Sequence, residues 1–533
     1  MRITLITPTS LNISAFGVRS LSAFLKDRGH SVRIILLPLS PVYHRNREGY
    51  LYAEYSYPEK VVEQTITLAS KSDLIGISFM TQNYSCSLEL TKAIKARLSI
   101  PVMWGGVHAT VKPEEAMEHA DMVCVGEGEE AVAELMERME QGRDYTDVAN
   151  FYFHKGNYIV RNPVRPLIQD LDALPWLDYG PEDHFIHNIA TGSIVPFDDI
   201  QFERSLARVP YFDNTLLRSY MFFTTRGCPF SCSYCVNDFY RKLYGARGYV
   251  RKMSVDRIIE ELDGITKRFP VIEEIEFCDD NFALRSVSEI EQFSIRYREK
   301  IGLPFQILII PQNITDEKIK PLVEAGLVFV ETGIQSAAEV SEELYNRKLE
   351  EGKLLNAVKV LNKYKDIMAP PCYHLILDNP FETIDDTLKT FELTLKLPRP
   401  FWFKRSSLVA FPGTKVYERY LDAGLIKDEV AEIYGKVLEM PSTSYINFLY
   451  LLNNQNYPLW LLQFLSQRRF INYFNRPLWI PFFGIAETCI RGASKLLRWT
   501  KTLFRGDFKS ISHRARMIGK VKGGTMSSRP PAF

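Results

Sequence analysis

The sequence contains no uninterrupted apolar run of about eighteen residues, so it predicts no ordinary transmembrane helix. It also has almost no net charge, since 65 Lys and Arg against 64 Asp and Glu leave a net charge of +1. A chain that binds nucleic acid over its whole surface would be strongly basic, so this class is disfavoured. Its eight cysteines show no regular pairing pattern, and its first residues lack the long apolar core of a signal peptide. These absences together predict a cytoplasmic protein in a reducing compartment.

The composition is that of a folded protein rather than a disordered one, with 46% hydrophobic and 24% charged residues. A chain of 533 residues is too long for one hydrophobic core, so several domains are expected. Changes in composition and periodicity predict a first α/β domain, a connector, a second α/β domain and a helical extension. We expect their boundaries at 1–145, 146–215, 216–430 and 431–533.

Five strand-like runs alternate with amphipathic stretches over the first part of the chain. They are Arg2–Thr7, Ser31–Leu37, Leu74–Met80, Pro101–Trp104 and Met122–Val125. Short apolar runs between amphipathic helices are typical of a buried parallel sheet. The pattern predicts a flavodoxin-like, doubly wound domain, whose ligand would lie beyond the carboxyl ends of the strands.

The same alternation repeats six times between about residues 220 and 425. The candidate strands are Met221–Thr225, Glu274–Phe277, Phe305–Ile310, Leu327–Glu331, Tyr373–Leu377 and Trp402–Val409. Ser254 is a plausible N-cap for the first long helix of this region. Six βα units predict a partial (β/α)6 barrel, in which chemistry gathers on the loops that follow the strands.

Three cysteines follow the first of these strands with the spacing C-x3-C-x2-C: Cys228, Cys232 and Cys235. Thiolates hold iron–sulfur clusters, and three of them leave one iron of a 4Fe-4S cube free to bind a small molecule. The alternatives are three buried cysteines or a zinc site. Zinc prefers four ligands, and no fourth Cys or His follows nearby at a suitable spacing.

This spacing, with Tyr234 before the third cysteine, resembles the signature of the radical S-adenosylmethionine (SAM) enzymes. The resemblance implies that the cysteines are catalytic and hold the cluster, and that an electron from it cleaves SAM. Motif fragments after later strands, including Asp378–Thr383 and Phe411–Thr414, follow the family order. The SAM contacts that the resemblance implies are Tyr234, Asp279, Asp280, Glu331, Gln335 and Ser336.

The first domain resembles the cobalamin-binding domain that precedes many radical SAM domains. The resemblance implies cobalamin contacts at the strand ends, which we place at Ser78, Thr81, Gly105, Gly106 and Glu127. One departure is that the loop Pro8–Gly17 has no histidine, so we expect no protein histidine on cobalt from this loop. We interpret His108 as a loop residue rather than a ligand. The alternative is a domain that has lost its cofactor and only packs.

The connector and the C-terminal extension carry weaker signals. Runs around Lys155 predict a hairpin, while His184 and His187 are interpreted as surface residues. Residues 445–490 are rich in aromatic and aliphatic side chains and are expected to pack partly on the barrel. From residue 491 onward Lys and Arg dominate. A basic amphipathic helix there would suit peripheral membrane contact, a lid over the active site or a solvated tail.

Together these resemblances predict a cobalamin-dependent radical SAM enzyme that methylates an unactivated carbon of a small-molecule or lipid-like substrate. They imply a 4Fe-4S cluster, SAM and cobalamin as cofactors, and a low-potential electron donor such as ferredoxin or flavodoxin. The alternatives are a radical rearrangement, an oxidative cyclisation, or a non-catalytic cobalamin or redox sensor. A methylthiotransferase is disfavoured because neither an extra N-terminal cysteine set nor a basic RNA-binding β-domain is seen.

Overall fold

The computed structural model describes residues 1–9, 14–210, 216–439, 441–490 and 492, and the backbone alone at Pro210. The strands up to residue 210 are β1 (Arg2–Thr9), β2 (Ser31–Pro38), β3 (Val42–Arg45), β4 (Leu51–Glu54), β5 (Leu74–Ser78), β6 (Val102–Gly105), β7 (Met122–Cys124), β8 (Phe151–Lys155), β9 (Tyr158–Arg161), β10 (His184–Asn188), β11 (Ser193–Pro196) and β12 (Ala207–Pro210). Those that follow are β13 (Leu216–Phe222), β14 (Thr225–Arg226), β15 (Arg251–Lys252), β16 (Glu274–Phe277), β17 (Phe305–Leu308), β18 (Leu327–Gln335), β19 (Cys372–Leu377) and β20 (Trp402–Ser407). Nine strands of the first 210 residues form one sheet, and β12 with six later strands forms a second, while β3–β4 and β14–β15 are separate two-stranded pairs.

Helices separate the parallel strands in both halves and continue beyond the last strand. The first seven are α1 (Phe16–Asp27), α2 (Glu59–Ala69), α3 (Tyr84–Lys95), α4 (Val107–Val111), α5 (Pro113–Met117), α6 (Glu129–Glu140) and α7 (Asp199–Ser205). The barrel region contains α8 (Val236–Tyr244), α9 (Val255–Arg268), α10 (Val287–Lys300), α11 (Asp316–Ala325), α12 (Glu339–Tyr345), α13 (Glu351–Asn362), α14 (Ile384–Leu395) and α15 (Lys415–Asp422). The extension adds α16 (Tyr445–Asn454), α17 (Leu459–Leu465) and α18 (Arg468–Phe474), and residues 480–490 are also helical.

The first sheet has the parallel order β2-β1-β5-β6-β7 at its centre, which confirms the flavodoxin-like prediction. The connector widens this sheet on both sides. The predicted hairpin β8–β9 joins β7 in antiparallel register, and β10 joins β2 in parallel. The interpretation of His184 and His187 as surface residues is therefore wrong. Both are buried, with His184 beside Asp178 and the His187 ring 2.9 Å from the Pro38 carbonyl oxygen.

The second sheet has the order β12-β13-β16-β17-β18-β19-β20, and its last six strands are parallel, which confirms the partial barrel. Its first parallel strand ends at Phe222, three residues before the predicted end. The reason is that the Thr224 and Thr225 amides leave the ladder and donate to Asp279 instead. The chain is thereby turned toward the cysteine loop.

Local sequence signals explain where several barrel helices begin. The Ser254 hydroxyl accepts from the Arg257 amide at the start of α9, as expected, and Ser286 with Glu289 forms a reciprocal capping box before α10. The face of α10 below this cap buries Phe293 and Tyr297 against Phe277 of β16. Caps of this kind are worth about 1 kcal/mol each, so they fix helix starts while packing supplies most of the stability.

The helices of the extension pack on the barrel, as predicted for residues 445–490. Tyr450 of α16 contacts the Phe391 ring at 5.1 Å between centroids, and Leu462 and Phe483 are buried in the same cluster. Within the described residues, no helix is both long and apolar enough to cross a membrane. The basic helix predicted after residue 490 lies outside the described residues.

Candidate functional site

The cysteine loop starts at the end of β14 and ends at α8, at the loop edge of the barrel sheet. Gly227 has φ +88°, and a Cβ there would lie 2.5 Å from the Tyr249 carbonyl oxygen, so only glycine fits. Further along, the Ser233 amide donates to the Tyr345 carbonyl (2.9 Å) and the Val416 amide donates to the Ser233 carbonyl (3.1 Å). The loop is therefore held by backbone contacts to segments after β18 and β20.

The three thiols are free, with Cys232 buried and Cys228 and Cys235 half-buried. Burial, reinforced by Asp280 and the neighbouring thiols, raises the pKa of Cys228 to about 12, and burial raises that of Cys235 to about 11. The bare site thus favours neutral thiols, and bound iron would have to stabilise the thiolates that ligate it. Such a donor set suits an iron–sulfur cluster.

The spacing of the sulfurs is compatible with a cluster. Among the described residues, the one group of three candidate ligands whose atoms lie within 4.8 Å of each other is Glu331, Cys372 and His374. At least one pair of the three loop sulfurs is therefore farther apart than 4.8 Å. A cube accommodates such spacing, whereas a single zinc ion with Zn–S bonds of about 2.3 Å would hold its sulfurs closer together.

The two aspartates after β16 have different environments. The Asp279 carboxylate is fully buried and accepts from the Thr224 amide (2.6 Å), the Thr225 amide (2.9 Å) and the Thr224 hydroxyl. Asp280 accepts from the Asn237 side chain at 2.9 Å, and the same amide nitrogen lies 3.6 Å from the Cys235 sulfur. Asp279 therefore orders the strand end, while Asp280 faces the cysteine loop, and the SAM contacts expected of both remain predictions.

Other expected SAM contacts surround this loop. The Tyr234 hydroxyl accepts from Arg347 (3.0 Å), which also donates to the Gly333 carbonyl (2.8 Å). Gln335 has φ +68°, and its side chain lies against Gly333, where a Cβ would be 2.3 Å from the Gln335 amide nitrogen. The buried Ser336 hydroxyl donates to Glu382 at 2.9 Å. Arg347 was missed because it follows a short helix with no local signal for its partner.

The remaining expected contact, Glu331, belongs to a charged group inside the barrel. Its carboxylate lies 2.6 Å from His374 Nε2 and 3.9 Å from Lys404 Nζ. Burial acts against ionisation, but His374 and Lys404 hold the pKa of Glu331 below its usual value. Burial and the charge of Glu331 raise the pKa of the nearby Glu276 to about 7. In the sequence, Glu276 and Glu331 each stand out as a charged residue next to apolar residues within a strand. The alternation of side chains along the strands places both carboxylates on one face of the sheet.

The expected cobalamin contacts lie at the carboxyl edge of the first sheet. Ser78 ends β5 and pairs with Gly105 of β6. Gly106 has φ +90°, and a Cβ there would lie 2.9 Å from the Ser78 hydroxyl and 2.8 Å from the Phe79 carbonyl oxygen. Gly106 is therefore required by its close contacts with Ser78 and Phe79, whereas a Cβ on Gly105 would meet no atom closer than 3.9 Å. The buried Thr81 hydroxyl is 3.4 Å from His108 Nδ1.

His108 is not a loop residue. It lies in α4, fully buried between the Phe79, Tyr84 and Tyr434 rings at centroid distances of 4.9 to 5.4 Å. Burial lowers its pKa to about 3, so the ring is neutral at physiological pH. The loop interpretation failed because Gly105-Gly106 reads as a turn, while the helix begins directly after it.

Glu127, the fifth expected cobalamin contact, binds two arginines of the barrel, and its contact with cobalamin remains a prediction. Its carboxylate accepts from Arg226 (3.1 Å) and Arg251 (2.8 Å), and the neighbouring Glu129 accepts from Arg226 at 2.7 Å. Ser20 donates to Glu129 at 2.8 Å. Although burial opposes it, Arg226 holds the pKa of Glu129 below its usual value. We call these five side chains the interdomain cluster. It joins the first sheet to the residue that precedes Gly227 and Cys228.

Comparison with known proteins agrees with this layout. Residues 4–136 match the family model of the B12 binding domain, and residues 222–394 match that of the radical SAM superfamily. The chain is 28% identical over 352 residues to an uncharacterized methyltransferase of Pyrococcus horikoshii, covering 65% of this chain and 69% of the relative. It is 25% identical over 507 residues to the cobalamin-dependent radical SAM methyltransferase TokK of Streptomyces tokunonensis, covering 85% and 69%.

A solved structure shares the fold across most of the chain. The radical S-adenosylmethionine methyltransferase TsrM of Kitasatospora setae, with cobalamin and a 4Fe-4S cluster bound, superposes with a TM-score of 0.59 at 15% identity. The match covers 79% of this chain and 78% of that one. The shared arrangement therefore includes both sheets rather than the barrel alone.

Proposed function

The chain joins a B12 binding domain to a domain of the radical SAM superfamily, and on that basis we propose a cobalamin-dependent radical SAM enzyme that methylates an unactivated carbon. The observation that carries this proposal is the three-cysteine loop, tied through Arg226 to the loop edge of the B12 binding domain. When bound, the cluster, SAM and cobalamin supply the electron, the hydrogen-abstracting radical and the methyl group. The chain itself orients these groups and excludes water.

In this proposal Cys228, Cys232 and Cys235 hold the cluster. Asp280 accepts from the SAM ammonium, because its carboxylate faces the cysteine loop, where it accepts a hydrogen bond from the Asn237 amide. Glu331 and Gln335 of β18 line the SAM side of the barrel, together with Ser336, which directly follows that strand. Tyr234 supports the cysteine loop, because its hydroxyl accepts a hydrogen bond from Arg347.

We assign Ser78, Gly105 and Gly106 to the cobalamin tail, because they lie together at the carboxyl edge of the first sheet, where Gly105 adds no side chain. Thr81 and Glu127 support that edge through His108 and the interdomain cluster rather than through the cofactor. No histidine of the loop Pro8–Gly17 would ligate cobalt, because that loop contains none.

The substrate is proposed to be a small or lipid-like molecule, and the electron donor a ferredoxin or flavodoxin. We also propose that the C-terminal tail brings the enzyme to a membrane surface, which would suit a lipid-like substrate. Gene neighbourhood and mass spectrometry of metabolites after gene deletion would identify the substrate. Ring closure, the competing chemistry, would give a product two mass units lighter per new ring, whereas each transferred methyl group adds fourteen.

The function is tested by anaerobic reconstitution with iron, sulfide, SAM and cobalamin. The unaltered chain should bind one 4Fe-4S cluster and release 5′-deoxyadenosine or S-adenosylhomocysteine on reduction. Replacing any loop cysteine with Ala should abolish this cleavage, whereas Cys489→Ala, an exposed cysteine elsewhere, should not. A triple-alanine variant with full cleavage would refute the cluster assignment, and a reduced wild-type protein that never cleaves SAM would indicate a sensor.

Cobalamin binding has its own spectroscopic readout. The paramagnetic spectrum of the bound, reduced cofactor should show no coupling to a protein nitrogen. A clear histidine coupling would contradict the loop argument, and an absence of binding would leave an enzyme that uses SAM alone.

A further inference from the structure

Helices α17 and α18, the short turn Pro477–Trp479 and the helical residues 480–490 present an apolar surface to solvent. Its five most exposed large side chains are Trp460, Tyr473, Leu478, Phe482 and Ile485, with 52 to 69% of their surface accessible. We call this set the aromatic face. The opposite sides of the same segments bury Leu462, Ile471 and Phe483 completely or nearly so in the core of the barrel. The segments are therefore firmly seated, and their outward residues are not part of the core.

Three of the rings contact one another rather than lying scattered, with the half-buried Trp479 between the exposed Tyr473 and Phe482. Tyr473 lies 5.6 Å from Trp479, and Trp479 lies 5.9 Å from Phe482, measured between ring centroids. Exposed apolar residues are normal when they occur singly, but a continuous patch of them marks an interaction site.

Arginines border this surface, and one of them, Arg468, pairs with the exposed Asp385 at 3.0 Å. Arg469 stacks on Phe464 and Phe470, and Arg476 lies 5.8 Å from the Tyr473 ring. Residues 441–486 contain no Asp or Glu, and residues 491–533 contain eleven Lys and Arg against one Asp. Rings with arginines among them are typical of a protein surface at the boundary between lipid headgroups and acyl chains.

Charge decides between the possible occupants of the aromatic face. The basic residues 491–533 would bring like charge against Arg469 and Arg476, and so would the same face of a second copy of the chain. An anionic lipid surface complements both the arginines and the basic residues that follow them, while its acyl region accepts the exposed rings.

We propose that the aromatic face inserts into the interface of an anionic bilayer and seats the enzyme on the membrane. The inference rests on the proposed membrane contact but not on the radical chemistry. It names the side chains that enter the lipid and leaves the basic residues after 490 with a supporting electrostatic role.

The test is flotation of the full-length protein with vesicles of equal parts phosphatidylserine and phosphatidylcholine, or of phosphatidylcholine alone. The test variant combines Leu478→Ser, Phe482→Ser and Ile485→Ser. The matched control combines Val42→Ser, Ile295→Ser and Ile367→Ser, three side chains of similar exposure on other elements. Inserting one large aliphatic or aromatic side chain is worth roughly a factor of ten, so the test variant should partition at least about a hundredfold less. The control should bind like the unaltered chain.

A second measurement does not depend on the folding of the two triple-serine variants. Brominated phosphatidylcholine in the same vesicles should quench fluorescence of the unaltered protein more strongly than that of Trp460→Phe. SAM cleavage measured in parallel without vesicles should be equal for all variants, so that loss of lipid binding is distinguished from loss of the enzyme.

Each other outcome overturns the proposal. A full-length protein that stays unbound on anionic vesicles excludes a lipid partner. A test variant that floats like the control assigns binding to the basic residues alone. A test variant that converts a dimer into a monomer in sedimentation assigns the face to self-association.

Discussion

Replacing Arg226 with Met removes the cation that the interdomain cluster shares between Glu127 and Glu129. Arg226 binds Glu129 at 2.7 Å and Glu127 at 3.1 Å, and the Glu129 side chain is only 6% exposed. Arg251 still pairs with Glu127 in the variant, but Glu129 keeps only the Ser20 hydroxyl among these partners. The substitution therefore leaves one buried carboxylate without a positive partner.

Removing one member of a buried ion pair destabilises a protein by about 3–5 kcal/mol, because the other charge stays desolvated. We expect Arg226→Met to lower the free energy of unfolding by that amount. The double variant Arg226→Met/Glu129→Met should be less destabilised than the single one, because no unpaired charge remains. Arg268→Met is the control, since Arg268 is 45% exposed and lies 3.6 Å from the exposed Asp199, and such pairs contribute about 1 kcal/mol or less.

Urea unfolding followed by tryptophan fluorescence measures these differences, with the iron and cobalamin content of each variant determined in parallel. The reasoning fails if Arg226→Met unfolds at the same urea concentration as Arg268→Met. It also fails if the double variant is less stable than the single one, because the cost would then come from lost packing rather than from the buried charge.

Two further outcomes follow from local geometry. Gly227→Ala should lose the iron, because its new Cβ would overlap the Tyr249 carbonyl. The control Gly245→Ala has a similar φ of +84° but open space around the new Cβ, so it should retain the iron. Iron analysis after reconstitution measures the difference, and equal retention would contradict the contact argument. Although burial opposes it, His184 and other donors lower the pKa of Asp178, so its stabilising effect is present above the unfolded pKa of about 3.9 and is lost as the pH falls through and below that value. The difference in unfolding free energy between the unaltered chain and Asp178→Asn should therefore shrink between about pH 5 and pH 3, and a constant difference would exclude this linkage.

The sequence predicted both sheets because apolar periodicity is a local signal. Each run from Arg2–Thr7 to Met122–Val125 is long enough to identify a strand, and a cap such as Ser254 marks a helix start. Strand β10, which lies between β11 and β2, was missed because its burial depends on distant partners. The His187 ring, for example, contacts the Pro38 carbonyl of β2, 149 positions earlier in the chain. No pattern within five residues encodes such a contact.

The candidate site was predictable where one motif contains all its parts. Cys228, Cys232 and Cys235 share one loop, so their spacing indicated their chemistry. The partners that position this loop come from elsewhere: Arg347 follows α12, and Glu129 begins α6. Their roles depend on which loops meet in space, and that is set by the topology of two sheets rather than by local sequence.

The segment Gly126–Glu129 illustrates how topology adds partners that local sequence does not reveal. It follows a parallel strand, where a nucleotide-like ligand is usually bound, and the resemblance to cobalamin-binding domains places Glu127 among the expected cobalamin contacts. In the structure the Glu127 amide donates to the Tyr244 hydroxyl at 2.8 Å, and a Cβ on Gly126 would lie only 1.7 Å from that oxygen. Tyr244 is the last residue of α8, whereas Arg226, which Glu127 and Glu129 bind, directly precedes the cysteine loop. One loop of the B12 binding domain thus fixes both ends of residues 226–244. Contacts between this loop and residues 226–244 therefore help to hold the cysteine loop against the first sheet, in addition to the covalent connector.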